Sequence, residues 1–150
     1  MAREMGPTME TVRFNLIRLL GEFRVSMRAL AAEMPEGPGK LTHSALSEIS
    51  RGVRRVDVDE LTALAVALDV SPITLLMPYD KDGYDDEHPV QLTGTDAVLG
   101  ADLLRWLRGE APLDLPRNAE LDSFEAEAFR RRSLPTWARG WWKRDGKTTT

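Results

Sequence analysis

Cysteine is absent from this chain of 150 residues, and its absence removes two classes of site. No disulfide can brace the core and no thiolate can hold zinc, so a reducing cytoplasm is the expected setting. Histidine is scarce, with two copies. There is no His-Glu-x-x-His pair and no phosphate-cradling glycine loop, which argues against an enzyme; no cofactor or metal is expected. Long apolar runs are missing as well. No stretch reaches the length of a membrane span, and the start, Met1 to Pro7, lacks the apolar core of a signal peptide. Aromatic residues are few, at 7% of the chain, and three of the four tryptophans (Trp137, Trp141 and Trp142) fall close together near its end.

What is present is an ordinary globular composition, 42% hydrophobic, at a length that suits one main domain with appendages. The net charge of −4 at first argues against nucleic acid, but the charge is unevenly spread. Residues 1–78 carry 9 basic and 10 acidic side chains, 79–129 carry 4 and 13, and 130–150 carry 7 and 1. Within 24–55 the balance is six basic (Arg24, Arg28, Lys40, Arg51, Arg54, Arg55) against three acidic (Glu33, Glu36, Glu48). Local charge of this kind governs phosphate binding more than the total does.

The apolar spacing predicts a mostly helical chain. Val12, Leu16, Leu19 and Leu20 stripe a first helix over 9–22 with Thr8 as its cap. Ser26 caps a second over 27–34, and Asp57 with Glu60 forms a capping box for a fourth running to about Leu68. Ser71 followed by Pro72 opens a fifth, which Pro78 closes.

The third helix organises the rest. In Leu41-Thr42-His43-Ser44-Ala45-Leu46-Ser47-Glu48-Ile49-Ser50-Arg51-Gly52, Thr42 is a good N-cap and Leu41 with Leu46 has the spacing of a hydrophobic staple. Leu46 and Ile49 point one way while His43, Ser44, Ser47 and Glu48 point the other, and Gly52 can supply the left-handed end. Small hydrogen-bonding side chains on the outer edge of a short helix suit a major groove, whose base edges are donors and acceptors.

Residues 12 to 78 resemble the lambda-repressor-like helix-turn-helix family, the Xre type of bacterial and phage regulators. The resemblance rests on Val25-Ser26 to Ala31, on Leu46 to Gly52, and on Leu61 to Ser71, and covers just under half the chain. It implies a five-helix domain whose third helix reads the major groove, commonly as a homodimer on a palindromic operator. Two departures stand out. Met34 to Lys40 is longer than the turn of about 3–4 residues usual between the second and third helices. Ser50 stands where a glutamate is usual before the Arg-Gly pair.

On this reading His43, Ser44, Ser47 and Glu48 are the candidate base contacts. Ser26, Arg28, Lys40, Thr42, Arg51, Arg54 and Arg55 are the candidate phosphate contacts, with Arg54-Arg55 the best of the set. The expected layout is a helix-turn-helix domain over 1–78, an acidic linker over 79–90, a small helical region over 91–132 for dimerisation or partner contact, and a basic Trp-rich tail over 133–150. Asp82, Asp85, Asp86 and Glu87 in the linker lack the ordered ligand positions of a calcium loop, so they read as solvated. Pro89 to Thr93 reads as a short strand, 99–108 as a helix ended by Gly109, and 120–132 as a last helix carrying Leu121, Phe124 and Phe129.

The function expected is a cytoplasmic, sequence-specific DNA-binding regulator, a repressor acting by operator occupancy as a homodimer through helix 42–50. The alternative is a protein-interaction module, antitoxin-like or adaptor, which uses the same fold without DNA and engages its partner through Trp137, Trp141 and Trp142. Tryptophan and arginine dominate interface hot spots, which is why these three are the candidate partner contacts.

Overall fold

The computed structural model describes residues 4–79, 87–116, 118–141 and 143. Among them the chain is mostly helical: seven α-helices, a short 3-10 turn and one two-stranded sheet. It divides into two compact units, Met1–Tyr84 with Val90–Ala97 and Asp85–Pro89 with Val98–Thr150. The sequence places a boundary at 90. Compactness groups Val90–Ala97 with the first unit, where Thr93 and Thr8 exchange bonds: the Thr93 amide donates to Thr8 Oγ1 at 2.8 Å, and the Thr8 amide to Thr93 Oγ1 at 3.2 Å.

The first unit holds α1 (Pro7–Phe23), α2 (Met27–Glu33), α3 (His43–Ser50), α4 (Val58–Leu68) and α5 (Pro72–Leu76). Helix α1 starts two residues before the expected Met9. Pro7 has the backbone angle a first turn needs and its missing N–H is no loss there, so Gly6 becomes the N-cap. Thr8 does not cap; its hydroxyl is taken by Thr93. The other caps are as the sequence expects. Ser26 Oγ accepts from the Ala29 amide at 3.1 Å, and Thr42 Oγ1 from the Ala45 amide at 3.1 Å. Asp57 and Glu60 close both halves of a capping box, and Ser71 Oγ accepts from the Ile73 amide. Helix α2 stops at Glu33 because Met34 precedes Pro35 and is held extended, with ψ 132°.

These helices close on one apolar core. Leu16 and Leu19 of α1, Leu30 of α2, Leu46 and Ile49 of α3, Leu64 of α4 and Leu75 of α5 are all essentially inaccessible. Helix α1 packs on α3 and α5, and α2 packs on α3 and α4. The long α2–α3 connection runs against the start of α4. Gly39, at φ +83°, lies so close that a Cβ there would meet the Asp59 carbonyl oxygen at 2.7 Å. Only glycine satisfies both constraints.

A buried polar pair of links fixes the ends of this core. Asn15 is fully buried, and its Nδ2 donates to the carbonyls of Leu75 at 2.9 Å and Met77 at 2.8 Å. It thereby satisfies the last turn of α5, whose carbonyls have no helical partner. Arg18 donates to Asn15 Oδ1, stacks on the Tyr79 ring at 4.1 Å and pairs with Glu22 at 3.1 Å.

Strand β1 is Pro89–Val90, shorter than the expected 89–93, because the Leu92 amide turns to Thr95 Oγ1. It pairs with β2 (Val98–Leu99). The second unit continues into α6 (Gly100–Leu107), α7 (Phe124–Ser133) and a 3-10 turn at Thr136–Ala138. Helix α6 ends where Gly109 takes φ +72°. Helix α7 begins four residues after the expected Glu120, since Ser123 is the residue whose hydroxyl caps it. Phe124, expected on its apolar side, is 81% exposed; Ala126 and Arg130 are buried instead. The Arg130 guanidinium donates to the carbonyls of Leu121 at 2.7 Å and Glu110 at 3.0 Å, tying the 110–121 loop to α7. Burial holds its pKa below the ordinary arginine value, offset by Glu127, Glu110 and Asp122.

Candidate nucleic-acid interface

Helix α3 is oriented by its buried edge. With Leu46 and Ile49 in the core, Ser44, Ser47, Glu48 and Arg51, spaced three and four apart, are left on the opposite side. His43 and Ser44 are exposed in the first turn, while Ser47 and Glu48 are half-buried. The Ser50 hydroxyl is turned inward onto the Ser47 carbonyl at 2.8 Å.

The two ends of α3 are held differently. At its start the Thr42 hydroxyl accepts from the backbone, which leaves its O–H free to donate outward. Ser26 at the start of α2 stands in the same situation. At the far end Gly52 adopts φ +77°, and Arg13 of α1 reaches across so that its Nε donates to the Ser50 carbonyl at 2.9 Å. Arg13 therefore fixes the angle between α1 and α3. The sequence reading passed over it, because nothing in the local pattern around position 13 announces a partner 37 residues away.

The basic cluster separates into two groups. Arg24, Arg28 and Arg51 are exposed and, among the described residues, make no ion pair or hydrogen bond through their side chains. The other three are engaged. Lys40 pairs with Glu36 across the loop, and Arg55 donates to the Glu4 carbonyl. Arg54 makes a two-pronged pair with Glu60, Nη2 to Oε1 at 2.7 Å and Nη1 to Oε2 at 3.0 Å, and Nη1 also reaches the Arg55 carbonyl.

That pair is structural in its geometry. Glu60 is 7% exposed, and besides binding Arg54 it accepts the Asp57 amide of the capping box. The hydrogen bond from Arg54 holds the Glu60 carboxyl below its ordinary value, against the opposing effect of burial. The same bond raises Arg54, with Glu48 and Asp57 adding to it through space. Arg54, which the sequence ranks with Arg55 as the leading phosphate contacts, thus anchors the turn after α3 to α4. Arg24, Arg28 and Arg51 are the cations of this cluster presented outward, and Arg28 and Arg51 are the two among the candidate phosphate contacts.

In the second unit Trp137 and Trp141 are 70% and 51% exposed and meet edge to face, with ring centroids 5.2 Å apart. Arg139 between them folds back, donating to the carbonyls of Leu134 and Arg131. Trp142 lies outside the described residues. Trp106 of α6 is half-buried.

No protein-family model, curated protein or solved structure matches the chain. Among the described residues no helix is long and apolar enough to cross a membrane.

Proposed function

We propose that the chain is a sequence-specific DNA-binding regulator of the lambda-repressor-like helix-turn-helix type, acting as a repressor by occupying its operator as a homodimer. The observation that carries this reading is α3. It is seated in the core by Leu46 and Ile49, anchored at both ends by Thr42 and Arg13, and turns a row of small polar side chains ending in Arg51 away from the protein. A helix of this width fits a major groove, and Ser44, Ser47 and His43 can donate to or accept from base edges there. Glu48 accepts only, which favours a cytosine amine and disfavours nearby phosphate.

Phosphate positioning falls to Arg28 and Arg51, with the Ser26 and Thr42 hydroxyls adding neutral donors. Selection of bound sequences from random duplex DNA by the full chain tests this. The expected product is a palindromic motif. Arg28→Ala with Arg51→Ala should weaken binding evenly across sequences, whereas Ser44→Ala with Ser47→Ala should relax preference at particular positions. No enrichment at low salt, where charge attraction is strongest, would overturn the reading.

The exposed Trp137–Trp141 pair favours the second reading, a protein-interaction module. Trp137→Ala with Trp141→Ala separates the two: a chain that reads DNA through its first unit keeps its selected motif in that variant.

A further inference from the structure

Between positions 130 and 143 the chain carries five basic residues (Arg130, Arg131, Arg132, Arg139 and Lys143) and no acidic one, with tryptophans set among them. Helix α7 ends at Ser133, Leu134 is extended, and Pro135 opens the 3-10 turn Thr136–Ala138. Ala138 is buried and its carbonyl accepts from the Trp141 amide at 3.1 Å, while Trp137 and Trp141 stay exposed. Arg139 ties this turn to the end of α7 through the Leu134 and Arg131 carbonyls. The two rings therefore stand in water on a braced segment. Large aromatic surface held out of a core in this way marks a contact surface.

The same segment walls a charged cavity of about 430 Å³. Arg130, Arg131, Arg139 and Lys143 line it against Asp122 and Glu127, and Gly140, the residue before Trp141, completes the wall. Cations outnumber acids there by four to two. Arg131 pairs with Glu127 at 2.6 Å. Arg139, among the described residues, meets carbonyl oxygens alone, which accept its hydrogens without cancelling its charge. The cavity is suited to an anion.

We infer that residues 130–143 bind an unpaired DNA strand, with bases stacked on Trp137 and Trp141 and backbone phosphates against Arg131, Arg139 and Lys143 at the cavity. Aromatic rings interleaved with cations match the alternating base faces and phosphates of a single strand. A duplex hides its base faces in its own stack, so the rings have nothing there to stack on. A protein partner fits less well. The centre of a protein interface is depleted of charge, whereas cations flank these rings along the chain. Neither the rings nor the cations read the sugar, so the choice of DNA over RNA rests on the proposed function; the binding of a single strand does not.

Fluorescence anisotropy of a labelled oligothymidylate of about 12 nucleotides, titrated with the full chain at about 50 mM salt, is the test. Binding should quench tryptophan emission, and the slope of log K against log salt should lie near −2, from about 0.7 for each of about three phosphates. Trp137→Ala and Trp141→Ala should each weaken binding at least about fivefold, the loss of one stacked base, and leave affinity for a random duplex unchanged. Trp137→Phe should restore most of the loss, because a smaller ring still stacks. Arg139→Gln keeps amide donors for the two carbonyls but loses the charge, and should flatten the slope by about 0.7. Unchanged far-UV circular dichroism separates these effects from unfolding. No binding at low salt, tryptophan variants that bind as the native chain does, or a polyglutamate peptide of equal charge bound as tightly overturns the inference. An oligouridylate bound more than about tenfold tighter overturns the choice of DNA. The oligothymidylate carries no operator, so a failed motif selection leaves this titration unaffected, and a failed titration leaves the selected motif standing.

Discussion

At the scale of single residues, the side chains that hold the first unit together are polar ones deep in an apolar core. Asn15 meets two carbonyls at the end of α5 that no helical amide can reach. Asn15→Leu keeps the volume but leaves both acceptors without that donor, the Leu75 carbonyl buried and the Met77 carbonyl partly so, and should lower unfolding free energy by about 2 kcal/mol in urea titration. The Arg54–Glu60 pair makes a pH-dependent contribution. Folding lowers the Glu60 pKa, so its stabilisation is complete above the ordinary carboxylate value of 4.5 and is lost as pH falls through the lower folded value. Glu60→Gln should therefore be less stable than the native chain at neutral pH by about 1–2 kcal/mol. The gap should narrow as acid unfolding is followed downward from pH 5, where the native carboxylate takes up its proton. A gap that stays constant with pH would mean that the carboxylate charge contributes nothing.

At the scale of elements, the strength of each helix start decides how far it could be read in advance. Thr42, Ser26, Asp57 and Ser71 act within three residues of themselves, so their caps are visible in the sequence. Where two local signals competed, the reading shifted: Thr8 and Pro7 both suit a helix start, and only the fold shows that Thr93 claims the Thr8 hydroxyl. The same limit applies at the candidate site. The outward face of α3 follows from the period of its own apolar residues, but the division of the arginines does not. Arg54 is engaged and Arg28 is not because of where Glu60 stands once α4 has folded, and Asn15 meets Leu75 across 60 positions of chain. Local physics is legible; pairing across the core is not. Helix α3 offers its own check. Thr42→Ala should cost about 1 kcal/mol and Thr42→Ser almost nothing, because only the hydroxyl caps. Gly52→Ala should cost about 1–2 kcal/mol, since a residue with a Cβ is strained at φ +77°. Its added methyl also comes within 3.4 Å of Arg13, the side chain that sets the helix angle. Thermal melting of these three variants separates a capping effect from a backbone one.

At the scale of the whole molecule, the proposed function has to reconcile a net charge of −4 with a polyanionic partner. Only a local surface can do this, and the structure narrows that surface by tying Arg54, Arg55 and Lys40 to other groups. With Arg28 and Arg51 as the proposed phosphate contacts on each protomer, the proposed dimer makes four arginine–phosphate contacts. The affinity should then fall with salt along a shallow line, with a slope of log K against log salt near −4, from about 0.9 per contact. Arg28→Ala with Arg51→Ala should bring that slope close to zero, while Arg54→Ala should lower stability and leave the slope of the remaining folded fraction almost unchanged. Titrating a labelled operator at several salt concentrations measures all three lines. A native slope much steeper than this would mean that Arg54 and Arg55 leave Glu60 and Glu4 for phosphate on binding. The turn after α3 would then move when the protein meets DNA, and the Arg54–Glu60 pair would be a contact of the free state alone.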